Sequence, residues 1–378
     1  MKVLIVSHCF HPFVGGLEEV AFQQAKMLVE REHEVQVVTS NIGNNGKLKK
    51  SEEIDGIKVY RVSASDFLYK NFDIPQPIFN ALELNSVLKK FVKRADLVHI
   101  HDRFYMSSIF ATKIARKFNK PIILTIHVGE VVYNKLLYKL FYGINERLAY
   151  YVVNNASKIL SVGEEISEYV YNKFKRKSEV ISNAVDTTFF QPDFERHDNN
   201  FIVLFVGRFT YKKGVDIIVD IARRLNKIDK SIRFICIGNG PKMPEIKESS
   251  KHIENFILKG IVTNKDDLKR YYKASDILIF PSRGGEASSP LVILEALASG
   301  LPVIVKNTGG HAKIINDGET GFVVDNTDEM IEKIIFLKEN KDMLKRMSSS
   351  ARKYSERFSW SKNIEKLISI YNSTLDHL

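Results

Sequence analysis

Cysteine is scarce in this chain of 378 residues, which contains Cys9 and Cys236 and no others. Two cysteines so far apart form neither a disulfide framework nor a zinc-binding pattern. Such scarcity is typical of proteins kept in a reducing compartment. The sequence therefore predicts a cytoplasmic protein without structural disulfides or a cysteine-based metal centre.

Long apolar runs are missing as well. No stretch approaches the roughly 20 apolar residues that a membrane-spanning helix needs. The first residues, MKVLIVSHCFHP, hold too short an apolar core for a signal peptide and run straight into a predicted strand. We therefore expect a protein that lies in the cytoplasm, either free or peripheral on the inner face of the cell membrane.

Signatures of nucleic-acid and dinucleotide binding are also absent. There is no zinc-finger or RNP-type spacing, which argues against nucleic acid as a partner. The first predicted strand-to-helix turn carries Gly15 and Gly16 instead of GxGxxG, and the next strand ends in Thr39-Ser40-Asn41 without an acid for a ribose. A nicotinamide-dependent enzyme is therefore a poor interpretation.

Positive charge, by contrast, is in excess, with a net charge of +11. A phosphorylated substrate or an anionic membrane surface would be attracted by it, and a solvated basic surface explains it equally well. Residues 131–153 leave a similar choice. Their aromatics, leucines and Lys135, Lys139 and Arg147 form either core and domain-edge helices or a basic, aromatic face at a membrane interface.

Apolar strands alternate with amphipathic helices in both halves of the chain. This pattern predicts βαβ units and a parallel sheet in each half, so the fold class is α/β with two Rossmann-like domains. A polar linker, 193–200, separates a first domain, 1–190, from a second, 200–358. The predicted strands are 3–6, 34–38, 57–62, 97–100, 122–126, 159–162, 180–181, 201–206, 232–237, 256–258, 276–280 and 302–305.

The most informative stretch is 281–304, which follows the predicted strand 276–280. Ser289 and Pro290 are typical of the N-cap and first position of a helix, and Gly300 is typical of a helix end. A loop and a helix N-terminus thus follow the carboxyl end of a strand. Open α/β sheets bind ligands there, and the free N–H groups of a helix N-terminus favour an anion.

Two glutamates lie in this stretch. Glu295, among apolar neighbours on the helix, is suited to accept hydrogen bonds from hydroxyls beside a phosphate, such as those of a ribose. Glu286, in a loop opened by Gly284 and Gly285, is suited to a second polyhydroxylated group. A solvated glutamate is the alternative at each position, more so at Glu286.

Two cations flank the first turn of the second half. Arg208 and Lys213 lie between the predicted strand 201–206 and the helix that follows, again at a carboxyl edge. Such a pair suits a diphosphate, which arginine can bind through two parallel hydrogen bonds. A basic surface turn is the alternative.

Histidines end two strands of the first half. His127 follows 122–126 at the ligand edge and is a candidate site residue, whereas we expect His99 to be a core histidine that points away from His101. The spacing of these residues does not fit a metal site.

These motifs resemble the donor-site signature of the retaining glycosyltransferases of family 4. Residues 295–303, EALASGLPV, fit that family's EAxAxGxPV run, and 207–214 fit its GRxxxxKG motif in full. The Gly15-Gly16 pair and residues 183–192 resemble its GG turn and its NGVD passage. One departure concerns the first glutamate, because Glu286 and Glu295 enclose eight residues where the family has seven. The likeness covers almost the whole chain.

The resemblance implies the GT-B fold, with two Rossmann-like domains facing across a cleft and a C-terminal helix, about 360–378, packed on the first. It implies a retaining transferase that moves a sugar from a UDP- or GDP-sugar to a glycan, lipid-linked or small-molecule acceptor, without a cofactor or metal ion. The implied catalytic residues are Arg208, Lys213, His127 and Glu286, and the implied donor-binding residues are Gly15, Gly16, Gly207, Gly238, Val262, Leu291, Val292 and Glu295.

Two other functions stay open on the sequence. A nucleotide-sugar 2-epimerase of the same fold would convert a donor without an acceptor, and the displaced Glu286 favours a non-catalytic nucleotide-sugar binding protein. The base, the sugar and the acceptor are not fixed by any of these motifs.

Overall fold

The structure, a computed structural model, describes residues 1–44, 46–68, 76–129, 146–193, 200–284 and 289–376. The chain divides into two compact units, Met1–Ser182 with Ser361–Leu378, and Asn183–Trp360. We expected the first domain to end at 190. The boundary falls earlier because Val185 and Phe190 pack in an apolar core of the second unit.

Within the described residues, the first unit is built on an eight-stranded sheet. Its strands and those of two short hairpins are β1 (Lys2–Val6), β2 (Glu34–Ser40), β3 (Ile42–Gly43), β4 (Gly46–Lys47), β5 (Ser51–Ile54), β6 (Ile57–Val62), β7 (Ala64–Ser65), β8 (Ile78–Phe79), β9 (Leu97–His101), β10 (Ile122–Ile126), β11 (Lys158–Ser161) and β12 (Glu179–Val180). The sheet order is β12-β11-β10-β9-β1-β2-β6-β5, and its pairings are parallel apart from that of β5 with β6. The hairpins are β3–β4 and β7–β8.

Helices connect these strands as βαβ units require. They are Gly16–Glu30, Ala81–Val92, Met106–Lys117, Glu164–Phe174 and Trp360–Asp376, and residues 146–154 are also helical. The last helix packs in the core of the first unit through Ile364, Leu367 and Tyr371. No helix of the described residues is long and apolar enough to cross a membrane.

The second unit has a six-stranded sheet in the described part of the chain, with order β15-β14-β13-β16-β17-β18 and every pairing parallel. These strands are β13 (Phe201–Val206), β14 (Ile232–Ile237), β15 (Phe256–Gly260), β16 (Ile277–Phe280), β17 (Val303–Lys306) and β18 (Gly321–Val324). Its helices are Val215–Ile228, Met243–Ser249, Lys265–Lys273, Leu291–Ala298, Thr327–Glu339 and Lys341–Ser355. Two apolar cores, one around Phe205 and Phe234 and one around Leu204 and Leu278, hold the unit together.

Both sheets share one feature that positions ligands. In each sheet the first strand of the chain lies in the middle, and later strands are added first on one side of it and then on the other. Thus β1 lies between β2 and β9, and β13 lies between β14 and β16. The connections therefore reverse direction beside that strand. Ligands of doubly wound folds bind outside the carboxyl ends of the strands at this switch point.

Candidate active site

Two loops meet at the switch point of the second sheet. Residues 207–214 follow β13, and residues 281–284 follow β16, the strand paired with it. Arg208 and Lys213 belong to the first loop, so they lie at the carboxyl edge where the sequence placed them. Arg208 is exposed, whereas Lys213 is half-buried with its Nζ 5.1 Å from the ring centroid of Phe280, a position in which the aromatic face stabilises the cation.

Arg283 joins the two loops. Its guanidinium forms a bidentate pair with the Asp216 carboxylate, at N–O distances of 2.8 and 2.6 Å, and donates to the Tyr211 carbonyl. Its backbone N–H donates to the Lys212 carbonyl over 2.8 Å. Burial acts to raise the pKa of Asp216, but the hydrogen bond and charge of Arg283 outweigh it and lower that pKa. The pair therefore stays ionised and holds the backbone that precedes Lys213.

Glycines permit this close packing. Gly214 has a φ of 70°, and a Cβ on it would lie 2.2 Å from the Pro281 carbonyl oxygen. Gly238 has a φ of 141°, and a Cβ on it would lie 1.9 Å from the Gly207 carbonyl oxygen. Gly207 and Gly238, which the family resemblance assigns to donor binding, thus also bring two loop backbones into contact.

The helix Leu291–Ala298 follows the second loop and begins one residue later than predicted. Pro290 is its N-cap. Ser289 was expected in that role, but its hydroxyl accepts a hydrogen bond from the Asn183 N–H over 3.0 Å. Gly300, with a φ of 73°, ends the helix as predicted. The N–H of Ile293 donates to the Pro290 carbonyl over 3.1 Å. The N–H groups of Leu291 and Val292 come first in the helix and lie at the same carboxyl edge as Lys213.

Glu295 is held by a residue that the sequence did not single out. The hydroxyl of Tyr272 donates to Glu295 Oε2 over 2.7 Å, and the Tyr272 side chain is fully buried, with its ring edge-on to Phe190. Burial, and then the Glu295 carboxylate, raises the pKa of Tyr272 well above its ordinary value, so the hydroxyl remains a donor. The helix and this bond together set the direction of the carboxylate.

Three further predicted donor-binding residues lie near this edge. Val262 and Val292 are half-buried against the core of the unit, and Leu291 is half-buried in the first turn of its helix. Glu286 and Gly285 lie outside the described residues, so the prediction for Glu286 has no structural outcome.

At the switch point of the first sheet, a buried carboxylate occupies the glycine turn. Gly15 is the N-cap of the helix Gly16–Glu30, and Glu18 is at the third helical position. A Cβ on Gly15 would lie 2.1 Å from Glu18 Oε2, whereas one on Gly16 would meet nothing within 4 Å. A side chain on Gly15, which the family resemblance assigns to donor binding, would therefore displace the Glu18 carboxylate.

His127 follows β10 and is buried with two other histidines. Its Nε2 lies 3.0 Å from His101 Nδ1, while His99 is hydrogen-bonded to Tyr371 over 2.6 Å and to Thr125 over 2.7 Å. His99 is a core histidine as expected. The expectation that it points away from His101 was wrong, because residues two apart in a strand share a face, and the two ring centroids are 4.4 Å apart.

Burial keeps these histidines neutral. It lowers the pKa of His99 to about 3 and that of His101 well below its ordinary value. It lowers the pKa of His127 to about 4, although Asp102 and Glu18 act in the opposite direction. A neutral imidazole has one donor and one acceptor nitrogen, which suits hydroxyl groups rather than anions.

Arg103 stabilises the backbone that follows His127. It is fully buried, pairs with Asp102 at 3.2 Å, and donates to the carbonyls of Val128 and Gly129 over 2.6 and 2.9 Å. This role was not predicted, because Val128 and Gly129 are distant from Arg103 in sequence and are brought to it by neighbouring strands.

One grouping in the described part of the chain has metal-ligand chemistry. Potential ligand atoms of His8, Cys9 and Glu18 lie within 4.8 Å of one another. Burial, and then Glu18, raises the pKa of the Cys9 thiol to about 12, which favours the protonated thiol, a poor metal ligand.

The basic, aromatic segment 131–153 is described in its last residues alone, since 131–145 lie outside the described residues. In the remainder, Ala149, Val152 and Val153 are buried, whereas Leu148 and Tyr150 are more than a third exposed. This part therefore packs as a domain-edge helix.

Comparisons with known proteins agree with the fold and the motifs. The model of Glycosyltransferase Family 4 matches residues 14–189, and that of Glycosyl transferases group 1 matches residues 186–354. An uncharacterized glycosyltransferase of Methanocaldococcus jannaschii is 26% identical over 100% of this chain and 99% of its own. The alpha-monoglucosyldiacylglycerol synthase of Acholeplasma laidlawii is 23% identical over 93% of this chain and 92% of its own.

Solved structures show the same fold. HepE of Anabaena, solved in complex with UDP, matches with a TM-score of 0.78 at 18% identity, covering 99% of this chain and 100% of its own. Two α/β units, each built on a mainly parallel sheet, thus have the GT-B fold. Since the two family models together match most of the chain, the protein belongs to the group 1 glycosyltransferases of family 4.

Proposed function

We propose that this glycosyltransferase moves a hexose from a UDP- or GDP-sugar to a hydroxyl of a glycan, lipid-linked or small-molecule acceptor, with retention at the anomeric carbon. The observation that supports it most is the placement of Arg208, Lys213 and the first turn of helix Leu291–Ala298 at one carboxyl edge. Two cations and free helix N–H groups at one edge suit a diphosphate.

In this proposal Arg208 and Lys213 act on the leaving group. The bond between the anomeric carbon and the phosphate oxygen breaks, and negative charge grows on the diphosphate. A preorganised cation that meets this charge contributes about 3 kcal/mol to the transition state, which is more than a hundredfold in rate. The two side chains would do what a metal ion does in other transferases, so the proposed reaction is metal-independent.

Glu295 is proposed to accept hydrogen bonds from the ribose. Its carboxylate is directed by the helix and by the Tyr272 hydroxyl, so it needs little reorganisation when the nucleotide binds. A hydrogen bond to a charged group contributes roughly 1.5–3 kcal/mol.

The donor sugar is proposed to contact His127 and Glu286, as the family resemblance implies. His127 is neutral, which fits a hydroxyl partner. We assign no side chain as general base. The family resemblance implies that the acceptor oxygen bonds to the anomeric carbon while the leaving phosphate takes the proton of the acceptor hydroxyl.

A lipid acceptor at an anionic membrane surface is the acceptor class that we favour. The Acholeplasma laidlawii relative is by its name the synthase of a glucosylated diacylglycerol. A chain with a net charge of +11 would be attracted to anionic headgroups.

A donor screen tests the proposal. Purified protein is incubated with UDP- and GDP-sugars, with and without diacylglycerol in anionic vesicles or oligosaccharides, and the products are separated by mass and linkage. Transfer that requires an acceptor and retains the anomeric configuration is the expected result. Conversion of the donor without an acceptor would identify a 2-epimerase, and an intact but bound donor would identify a binding protein; either result contradicts the proposal.

A further inference from the structure

His8 lies at the switch point of the first sheet, in the loop after β1. Its Nε2 is 3.1 Å from Glu18 Oε1, and its ring stacks on Tyr105 with centroids 3.8 Å apart and planes at 8°. His8 is 5% exposed and Glu18 is 6% exposed. Stacking and pairing together fix the plane of the imidazole.

The partner of His8 determines which nitrogen carries its proton. Burial acts to raise the pKa of Glu18, but its interactions with His8 and with its own backbone N–H outweigh burial and lower that pKa. An ionised carboxylate accepts hydrogen bonds and donates none. Nε2 of His8 therefore carries the hydrogen that faces Glu18, and the Nε2–H tautomer of imidazole has Nδ1 as its acceptor.

No described residue donates to that acceptor. His8 Nδ1 is buried without a hydrogen-bond partner in the described part of the chain, and the same holds for His101 Nε2 and Asp102 Oδ2. Most buried polar atoms of native proteins have a hydrogen-bond partner, so each of these atoms needs an explanation, and a bound hydroxyl group is one.

We infer that His8 is a ligand-binding residue whose Nδ1 accepts a hydrogen bond from a sugar hydroxyl, and that Glu18 positions it. The inference rests on the proposed function and adds a subsite to it. Sugar hydroxyls both donate and accept hydrogen bonds, as an unpartnered imidazole nitrogen and carboxylate oxygen require, and the hydroxyl belongs either to the donor sugar or to a sugar acceptor.

Two substitutions separate this role from a structural one. The side-chain oxygen and nitrogen of asparagine are two bonds from Cβ, as is Nδ1 of histidine. Those of glutamine are three bonds from Cβ, as is Nε2 of histidine. His8→Asn therefore keeps an acceptor near the Nδ1 position but loses the pairing with Glu18. His8→Gln keeps a donor to Glu18 but loses the Nδ1 acceptor. The exposed His252 provides a matched control, His252→Gln.

Calorimetry would measure the binding of UDP and UDP-glucose, of GDP and GDP-mannose, and of D-glucose with UDP present. Melting temperatures check the fold of each variant. We expect His8→Gln to melt near the wild type, to bind the free nucleotides normally and to bind the sugar-bearing probe about three- to tenfold more weakly. His8→Asn should keep more of the sugar affinity and lose stability.

The outcomes assign the hydroxyl or overturn the inference. An effect on UDP-glucose or GDP-mannose assigns it to the donor, and an effect on D-glucose alone assigns it to a sugar acceptor. If His8→Gln kept the wild-type affinity for the sugars and only His8→Asn lost affinity, the pair of His8 and Glu18 would be purely structural. That result would overturn this inference and leave the proposed function intact. A wild-type protein that binds none of the sugar nucleotides would overturn the proposed function as well.

Discussion

The buried hydroxyl of Tyr272 donates to the carboxylate of Glu295 over 2.7 Å, across 23 positions of sequence. The helix that carries Glu295 begins at Pro290 and is closed by Gly300, so both the scaffold and a tertiary contact direct the same carboxylate. In the proposed function Glu295 binds the ribose of the nucleotide, and Tyr272 positions its carboxylate.

Removing either member should weaken nucleotide binding. Glu295→Gln weakens an anionic acceptor, so we expect the affinity for UDP or GDP to fall about ten- to a hundredfold. Tyr272→Phe should cost less, about three- to tenfold, because the carboxylate remains but is no longer held. Calorimetric titration measures both, with Tyr271→Phe as the neighbouring control. Unchanged affinity in Glu295→Gln would remove Glu295 from the donor site.

Arg283 and Asp216 should act on the nucleotide through the loop that they hold. Asp216→Asn or Arg283→Lys breaks the bidentate pair, and the double variant should be little worse than either single one, since both remove the same contact. We expect about tenfold weaker UDP or GDP binding, with Kd measured by titration. Arg224→Lys, which disturbs the exposed pair of Arg224 and Asp328 on the same unit, is the control.

Two results would show that the pair of Asp216 and Arg283 does not support nucleotide binding. One is that the losses of affinity in Asp216→Asn and Arg283→Lys add up in the double variant. The other is that neither loss exceeds that of Arg224→Lys. A loss of melting temperature without a change in Kd would make it a purely structural ion pair.

The buried histidines should make stability depend on pH. Their pKa values are lower in the folded chain than the ordinary 6.5, and that of His127 is about 4. The unfolded chain therefore binds more protons, so stability present above pH 6.5 is lost as the pH falls through the window between 6.5 and about 4. Each such histidine contributes up to about 1.4 kcal/mol per pH unit.

Urea unfolding at pH 7, 6 and 5 measures this slope, and His127→Gln should reduce it by up to one histidine's share. The exposed His252→Gln should leave it unchanged. A stability that is flat from pH 6.5 to 5 would contradict buried neutral imidazoles.

Binding to anionic vesicles should depend on residues 131–153. If Lys135 and Lys139 contribute to a basic, aromatic face, the protein should sediment with phosphatidylglycerol vesicles, less so as salt rises, and Lys135→Glu with Lys139→Glu should weaken it severalfold. Lys227→Glu with Lys247→Glu, both exposed on the second unit, is the charge-matched control. If the protein bound neutral vesicles equally well, or bound no vesicles, the result would contradict a basic, aromatic membrane face and favour the alternative of core helices.

The sequence predicted the sheets well because largely buried parallel strands are runs of mainly apolar residues. Ile57–Val62, Ile122–Ile126, Phe201–Val206 and Ile232–Ile237 have the predicted bounds. The edge strand Ser51–Ile54 was not predicted, since SEEI has no such run and is defined by its pairing with β6.

The candidate site was predictable where charged residues follow a strand end, as for Arg208 and Lys213, or lie on the helix after it, as for Glu295. Its supporting residues were not. Asp216 and Arg283 are 67 positions apart, and no local pattern marks them as partners. Likewise, the pairing of His8 with Glu18 depends on how the loop after β1 folds onto the following helix, which residue spacing does not fix.

The most direct test of donor activation at the second sheet is the rate of sugar transfer by Arg208→Ala and Lys213→Ala. Lys227→Ala, at the far end of the helix that follows the loop, is the control. With the donor and acceptor found in the screen, and with folding verified by melting temperature, we expect each variant to lose at least about a hundredfold in turnover while the control keeps it. Near-normal turnover in the folded double variant would contradict a diphosphate bound and activated by these cations.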